Sequence, residues 1–376
     1  MAMEQIPFNK PYLTGKEVQY LQEAVATGHI SGNGMFTKKC QQFFENRFGF
    51  KKTLLTTSCT DALEMCAMLL DIQPGDEVIM PSYTFVSTAL AFVRQGAKIV
   101  FADSRADHPG IDEQSIESLI TPKTKAIVVV HYAGVACDMD VVMAVAQQHH
   151  LWVVEDAAQA IDSYYTGKYG VKQALGSIGH LGTFSFHETK NIQCGEGGLL
   201  AINDEQFMER AEILWEKGTN RASFFRGEIN KYGWVDTGSS FLPNELTASF
   251  LYAQLEALGQ IQNRRKGIWE WYQKYVQQLW GKVYTFSTPV IPSYATNNAH
   301  MFYLVFEDPK ERTRFIKAIK TRDIHPVFHY LSLHKSDYYQ AKHDGRKLPQ
   351  SDRYTDCLVR LPFYYDMELT KRKFSL

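Results

Sequence analysis

Leu54-Leu55-Thr56-Thr57-Ser58-Cys59-Thr60-Asp61-Ala62-Leu63 changes its period in mid-run. Leu54–Thr57 has the apolar character of a short buried strand. From Ser58 onward, Ala62, Leu63, Cys66, Leu69 and Leu70 fall on one face of a helix. A strand entering a helix through a hydroxyl-rich turn is the opening of an α/β unit. Two readings fit the turn: Ser58 caps the helix, or the helix start cradles an anion with its free N–H groups and positive dipole end.

The same rhythm continues on the C-terminal side. Glu77–Met80, Lys98–Ala102, Ala126–Val130 and Trp152–Glu155 read as strands, with helical stretches at Thr88–Gln95, Glu113–Ile120 and Val141–Gln148 between them. This alternation predicts an α/β fold with a mostly parallel sheet covered on both faces, and ligands beyond the carboxyl ends of its strands. Asp156 stands at that edge. It either caps the next helix or waits for a cation or donor, since a carboxylate buried without partners is costly. Gln159 follows on the same side.

Outside this region, Ile6-Pro7-Phe8 reads as an extended arm, and Val18, Leu21 and Val25 as the apolar face of a helix. Gly32-Asn33-Gly34 reads as a turn rather than a nucleotide loop, for it lacks a preceding strand and a third glycine. After Lys190 the sheet signals thin out. Residues 203–216 read as a helix, Lys217–Lys231 and Trp234–Pro243 as irregular, and Asn244–Arg265 as one long helix. A helix at Trp269–Trp280, a strand at Met301–Phe306, a helix at Lys310–Thr321 and a strand at Ile324–Phe328 form a smaller α+β unit. The basic end, Lys371–Leu376, is expected to fray. The division expected is 1–255 for the arm and large domain and 256–376 for the small one.

The chain of 376 residues holds 40 basic and 41 acidic side chains, for a net charge of -1, so it has no global field for nucleic acid or anionic membrane. Hydrophobic residues make up 45% and charged residues 22%, a composition that buries a large core. Cys40, Cys59, Cys66, Cys137, Cys194 and Cys357 form no C-x-x-C pair, which points to reduced thiols in a cytoplasmic protein and to no metal site. The start of the chain has no basic-then-apolar leader, and no apolar run is long enough for a membrane span.

P-loop, G-x-G-x-x-G, G-x-S-x-G and H-E-x-x-H motifs are all absent. What remains at the ligand edge is a hydroxyl-capped helix start at Ser58, an aromatic at Phe85, a carboxylate at Asp156, and Lys190 after the strand-like Thr183–Phe186 run. Most lysines at strand ends are surface residues; a desolvated one is a nucleophile towards a carbonyl. Together the four match the needs of pyridoxal phosphate: a helix N-terminus for its phosphate, an aromatic for its ring, a carboxylate for its ring nitrogen and an amine for its aldehyde.

Ser58-Cys59-Thr60-Asp61-Ala62-Leu63, Gly75-Asp76-Glu77-Val78-Ile79, Pro81-Ser82-Tyr83-Thr84-Phe85, Glu155-Asp156-Ala157-Ala158-Gln159, Phe184-Ser185-Phe186 with Lys190, and Gly195-Glu196-Gly197-Gly198 resemble the DegT/DnrJ/EryC1/StrS sugar aminotransferases from about Ile6 to Pro362. The resemblance implies an aspartate-aminotransferase-like large domain, PLP fold type I, and a homodimer or higher oligomer with shared sites. It assigns Lys190 to the cofactor aldehyde, Asp156 to the ring nitrogen and Gln159 to the ring-hydroxyl side. Phe85 would stack on the ring, with Ser58, Cys59 and Ser185 at the phosphate. It implies glutamate, returned as 2-oxoglutarate, as amino donor and a nucleotide-linked keto-sugar as acceptor. Thr57–Thr60 and Phe184–Asn191 are most similar to members acting on TDP-linked 4-keto-6-deoxyhexoses.

The family's Gly-x-Asn-x-Arg-Met run is replaced by Gly238-Ser239-Ser240-Phe241-Leu242-Pro243, which puts Ser240 where an asparagine reaches the partner subunit's phosphate. His329 and Tyr330 fall in a stretch the family places near the substrate, and His334 is read as structural. His187 has no assigned role. A dehydratase of the family has histidine at the Lys190 position, and a silent relative would lack Lys190 or Asp156; both residues are present here. A nucleotide-binding dehydrogenase lacks its fingerprint.

Overall fold

The computed structural model describes residues 5–375. The start of the chain, Met1–Glu4, where a leader was looked for, lies outside the described residues, as does Leu376. Strands β1 (Lys52–Thr56), β2 (Glu77–Pro81), β3 (Lys98–Ala102), β4 (Thr124–Val130) and β5 (Trp152–Asp156) form within a residue or two of where apolar periodicity places them. A small hairpin, β6 (Tyr164–Thr166) and β7 (Lys172–Ala174), precedes β8 (Leu181–Ser185) and β9 (Gly198–Ile202). The main sheet has the order β1-β9-β8-β5-β4-β2-β3, with β9 antiparallel to both neighbours and the rest running one way. β9 lies beyond Lys190, where the sheet signals of the sequence thin out. Gly198 and Ala201 weaken its β-propensity, yet it is buried throughout.

Side-chain alternation along these strands builds two cores. Leu55, Ile79, Ile127, Val129, Val153 and Leu199 face α2 (Met35–Phe48), α5 (Met139–Gln148) and α8 (Glu245–Glu256). Leu54, Val78, Met80, Val128, Val154 and Leu200 face α3 (Cys59–Leu69), α4 (Val86–Arg94) and α6 (Met208–Trp215). The chain passes from β2 out to β3 and returns to the other side of β2 as β4. That reversal opens a crevice at the carboxyl ends of β2 and β4.

Beyond α8 the chain turns at Ala257 into a 23-residue helix, α9 (Leu258–Trp280), so the single helix expected at Asn244–Arg265 is two. A three-stranded antiparallel sheet of β10 (Phe286–Ser287), β11 (Tyr303–Phe306) and β12 (Leu358–Arg360) packs with α9, α10 (Pro309–Lys320) and α11 (Pro349–Cys357). Ile324–Phe328 forms only isolated bridges, Ile6 to Ile324 and Val327 to Arg360. The arm is thereby tied to this part of the chain, and Ile6 is buried in its core with Ile268, Tyr272 and Phe302.

Other expectations also change. Glu113–Ile120 is two 3₁₀ turns, and Lys217–Lys231 contains a short helix, α7 (Arg221–Phe225). The first helix, α1 (Glu17–Ala26), buries Glu17 and Ala24 while Val18 and Val25 are exposed. Glu17 is drawn inward because it accepts from the N–H groups of Thr14 and Gly15 and from Gln254. The basic end does not fray: α12 (Lys371–Phe374) buries Phe374, whose carbonyl accepts from Trp280 Nε1 at 2.8 Å. Gly32-Asn33-Gly34 is a turn, as read. The start of α2 behind it is filled by Glu245, which accepts from the N–H groups of Gly34, Phe36 and Thr37, so no anion can sit there.

Candidate active site

The ends of β1, β2, β4, β5 and β8 converge on a cavity of about 520 Å³ closed from the other side by β12, residues 300–301 and the arm. Lys190, Asp156, Gln159, Ser185, Ser58, Cys59, Phe85, His329 and Tyr330 all line it. Ser240 does not. It lies in a second cavity with Gly32, Asn33, Lys217 and Arg221, so within one protomer it is apart from Lys190. Phe241 O accepts from Thr57 N at 2.9 Å, and its neighbour Ser240 is bridged to Glu216, which lines that second cavity.

Ser58 caps α3, accepting from Asp61 N at 3.1 Å. The N–H groups of Cys59 and Thr60 lie at the first turn, where a helix has no internal acceptors. The hydroxyls of Thr60 and Ser87 meet at 2.7 Å beside them. The capping reading of the turn holds, and the N–H groups left over at this helix start are those that the cradle reading requires. Gly198 permits the arrangement, because a Cβ there would lie 2.3–2.4 Å from the Ser58–Cys59 peptide. Thr183 Oγ1, on the neighbouring β8, is buried with no partner among the described residues. Burial pushes the Cys59 thiol far above its ordinary range, so it offers no thiolate.

Asp156 is 6% exposed. One carboxylate oxygen accepts from Thr88 Oγ1 at 2.8 Å and the other from Ala158 N at 3.1 Å. Burial raises its pKa against those hydrogen bonds and the attraction of Lys190. Gln159 accepts from Ala133 N at 2.7 Å and donates to the Tyr330 hydroxyl at 2.7 Å. Tyr330 stacks on His329 at 3.5 Å, and the His329 ring meets the Tyr132 hydroxyl at 2.6 Å; burial keeps this imidazole neutral.

Lys190 is half-buried, and burial lowers its pKa against the pull of Cys59 and Asp156. Its neighbour Asn191 fixes the backbone, donating to Gln262 Oε1 at 2.8 Å and Asn298 O at 2.9 Å and meeting His300 Nδ1 at 2.8 Å. Asn298 in turn donates to the carbonyls of Gln159 and Ile161. Sequence reasoning missed this polar web and missed Thr88 as the partner of Asp156, and it missed His300, Arg360 and Phe8 as cavity residues. Only Thr88 carried a signal, about one helical turn past Phe85. His187 lies at the cavity wall with its Nε2 3.6 Å from Glu196, and His334 lies outside, its ring nitrogen 2.7 Å from Ser82 Oγ.

These donors fit pyridoxal phosphate. A helix start with free N–H groups and hydroxyls suits the phosphate, a buried carboxylate the ring nitrogen, and a desolvated amine the aldehyde. The family model of the DegT/DnrJ/EryC1/StrS aminotransferases matches residues 11–373. The chain belongs to that family. The spore coat polysaccharide biosynthesis protein SpsC of Bacillus subtilis (strain 168) is 33% identical over 371 residues, covering 96% of this chain and 93% of its own. The aminotransferase TlmJ from Streptoalloteichus hindustanus superposes with a TM-score of 0.86 at 27% identity, over 97% of this chain and 95% of that one. The PMP-form of the sugar aminotransferase Spr1654 from Streptococcus pneumoniae, itself described as putative, gives 0.86 at 25%, over 97% and 94%. The protein is thus a PLP-dependent sugar aminotransferase of fold type I. Among the described residues no helix is long and apolar enough to cross a membrane.

Proposed function

We propose that the enzyme moves an amino group from glutamate to a nucleotide-linked 4-keto-6-deoxyhexose, in its most specific form TDP-4-keto-6-deoxyglucose. The product is then TDP-4-amino-4,6-dideoxygalactose, as made for enterobacterial common antigen, and 2-oxoglutarate is released. The observation that carries the reading is one cavity holding a half-buried Lys190, a buried Asp156 that faces it and the open start of α3. The TDP-sugar part rests on the wording of Thr57–Thr60 and Phe184–Asn191. We further infer a cytoplasmic homodimer, in which Ser240 serves the partner's site, and a division of the chain near residues 255 and 256.

When bound, the cofactor supplies an aldehyde and an electron sink for the substrate carbon. Lys190 Nζ would take the proton from the donor's α-carbon as a general base and, for the sugar, would return one to the reacting carbon as a general acid. Its lowered pKa keeps part of it neutral for that task. Asp156 would pair with the cofactor's ring nitrogen, and Gln159, Phe85, Ser58, Cys59 and Ser185 would orient the group. His329 and Tyr330 face the substrate side.

Borohydride reduction of the loaded protein followed by peptide mapping is expected to place the cofactor on Lys190. Incubation with L-glutamate and a panel of nucleotide keto-sugars, read by NMR, is expected to yield a 4-amino sugar from the TDP substrate. Reaction with UDP-linked or 3-keto sugars alone rejects the specific substrate.

A further inference from the structure

We propose that Arg360 is the carboxylate anchor for the amino donor, an assignment that rests on the donor being an amino acid such as glutamate. Arg360 is the last residue of β12, and its N–H and carbonyl are both hydrogen-bonded to Val327, at 2.8 and 3.1 Å. The backbone is therefore rigid. Its half-buried side chain enters the Lys190 cavity and lies over the Phe8 ring at 4.6 Å.

Of the several N–H donors of a guanidinium, one meets protein, Nη2 to Phe328 O at 3.3 Å. Nε is buried with no partner, and the group forms no ion pair among the described residues. Arg265, a buried arginine in the same part of the chain, differs: Nε donates to Ala299 O at 3.1 Å and Nη2 to His300 O at 2.6 Å, with Phe363 beneath it. Arg265 is a brace; Arg360 is left with a free fork. A desolvated cation without a counter-ion is costly unless a ligand supplies the counter-charge, and a guanidinium fork fits a carboxylate with two parallel hydrogen bonds.

Position separates the possible anions. The cradle at Ser58 lies beside β1 and β9, whereas Arg360 stands near the phenols of Tyr83, Tyr132 and Tyr330, at the β2–β4 end. Its charge acts on Lys190. An amino acid carries its carboxylate on the very carbon that Lys190 must deprotonate. In a 4-keto sugar the diphosphate sits across the ring from the reacting carbon. The donor's carboxylate is the anion that belongs next to the lysine.

The test uses the PLP-loaded enzyme and glutarate, an unreactive dicarboxylate, in calorimetric titration. Arg360→Gln is expected to weaken glutarate binding about 10- to 100-fold, with Arg360→Lys in between. In single turnover with L-glutamate, the loss is expected in the concentration dependence, while borohydride trapping at Lys190 stays at the wild-type level. Wild-type glutarate affinity in Arg360→Gln, with wild-type kcat/KM for L-glutamate, overturns the proposal. So does a defect confined to the half-reaction with the nucleotide amino-sugar. A wild-type enzyme that traps cofactor but ignores L-glutamate overturns the donor reading itself, a result separable from the first two.

Discussion

Glu155 and Asp156 are neighbours on β5 that the pleat turns to opposite faces of the sheet. Glu155, fully buried, accepts from the N–H groups of Gly176, Ile178 and Gly179 at 2.6–2.8 Å and pairs with His131 Nε2 at 2.9 Å. The other imidazole nitrogen accepts from Cys137 N at 3.2 Å, which leaves Nε2 to donate to the carboxylate. Every direction around Glu155 is taken by protein. Asp156 has two donors and a cavity in front of it. Saturation marks the structural carboxylate, and incomplete saturation at a sheet edge marks the one left for a ligand.

The largest way to sharpen this contrast is Asp156→Asn. Amino transfer is expected to fall about 10²- to 10³-fold, with the urea midpoint close to wild type, since burial already disfavours the charged form. A variant of full activity would break the contrast. Next comes Glu155→Gln, which sets an amide against donors that want an anion; it should lose about 3 kcal/mol of stability. Urea unfolding checks it, and an unchanged midpoint would show that Glu155 is not the keystone its hydrogen bonds suggest.

The smallest effect concerns the site's own cost to the fold. Burial holds the Lys190 amine below its ordinary 10.5, so the folded chain binds fewer protons there than the unfolded one. The residue's contribution to stability is whole above pH 10.5 and is lost as pH falls through the lowered value. Cofactor-free Lys190→Met is expected to melt about 1–2 °C higher than wild type near pH 7. Differential scanning should show that gain shrinking as pH approaches 10.5.

The parallel core was legible because strands β1 to β5 carry continuous apolar runs, and a run of that kind is specified locally. β9 was not, because Gly198 is there for the Ser58–Cys59 turn it must pass, a requirement visible only once the two are adjacent. Likewise Val18 and Val25 form a helical stripe that faces outward, since Glu17 is held inside by the hydrogen bonds around it.

For the site, the residues proposed to hold the cofactor were readable one by one, because Lys190, Asp156 and the α3 start each sit at a chain feature with its own signature: the turn after a strand, a strand end and a helix cap. Sequence alone determined the fold class, the cofactor chemistry and which side chains gather at the carboxyl edge. The tertiary structure decided what closes on them: Arg360 and His300 from the second part of the chain, Phe8 from the arm, and the separation of Ser240. Those residues are brought together by packing between distant segments, which leaves no periodic trace in the chain itself.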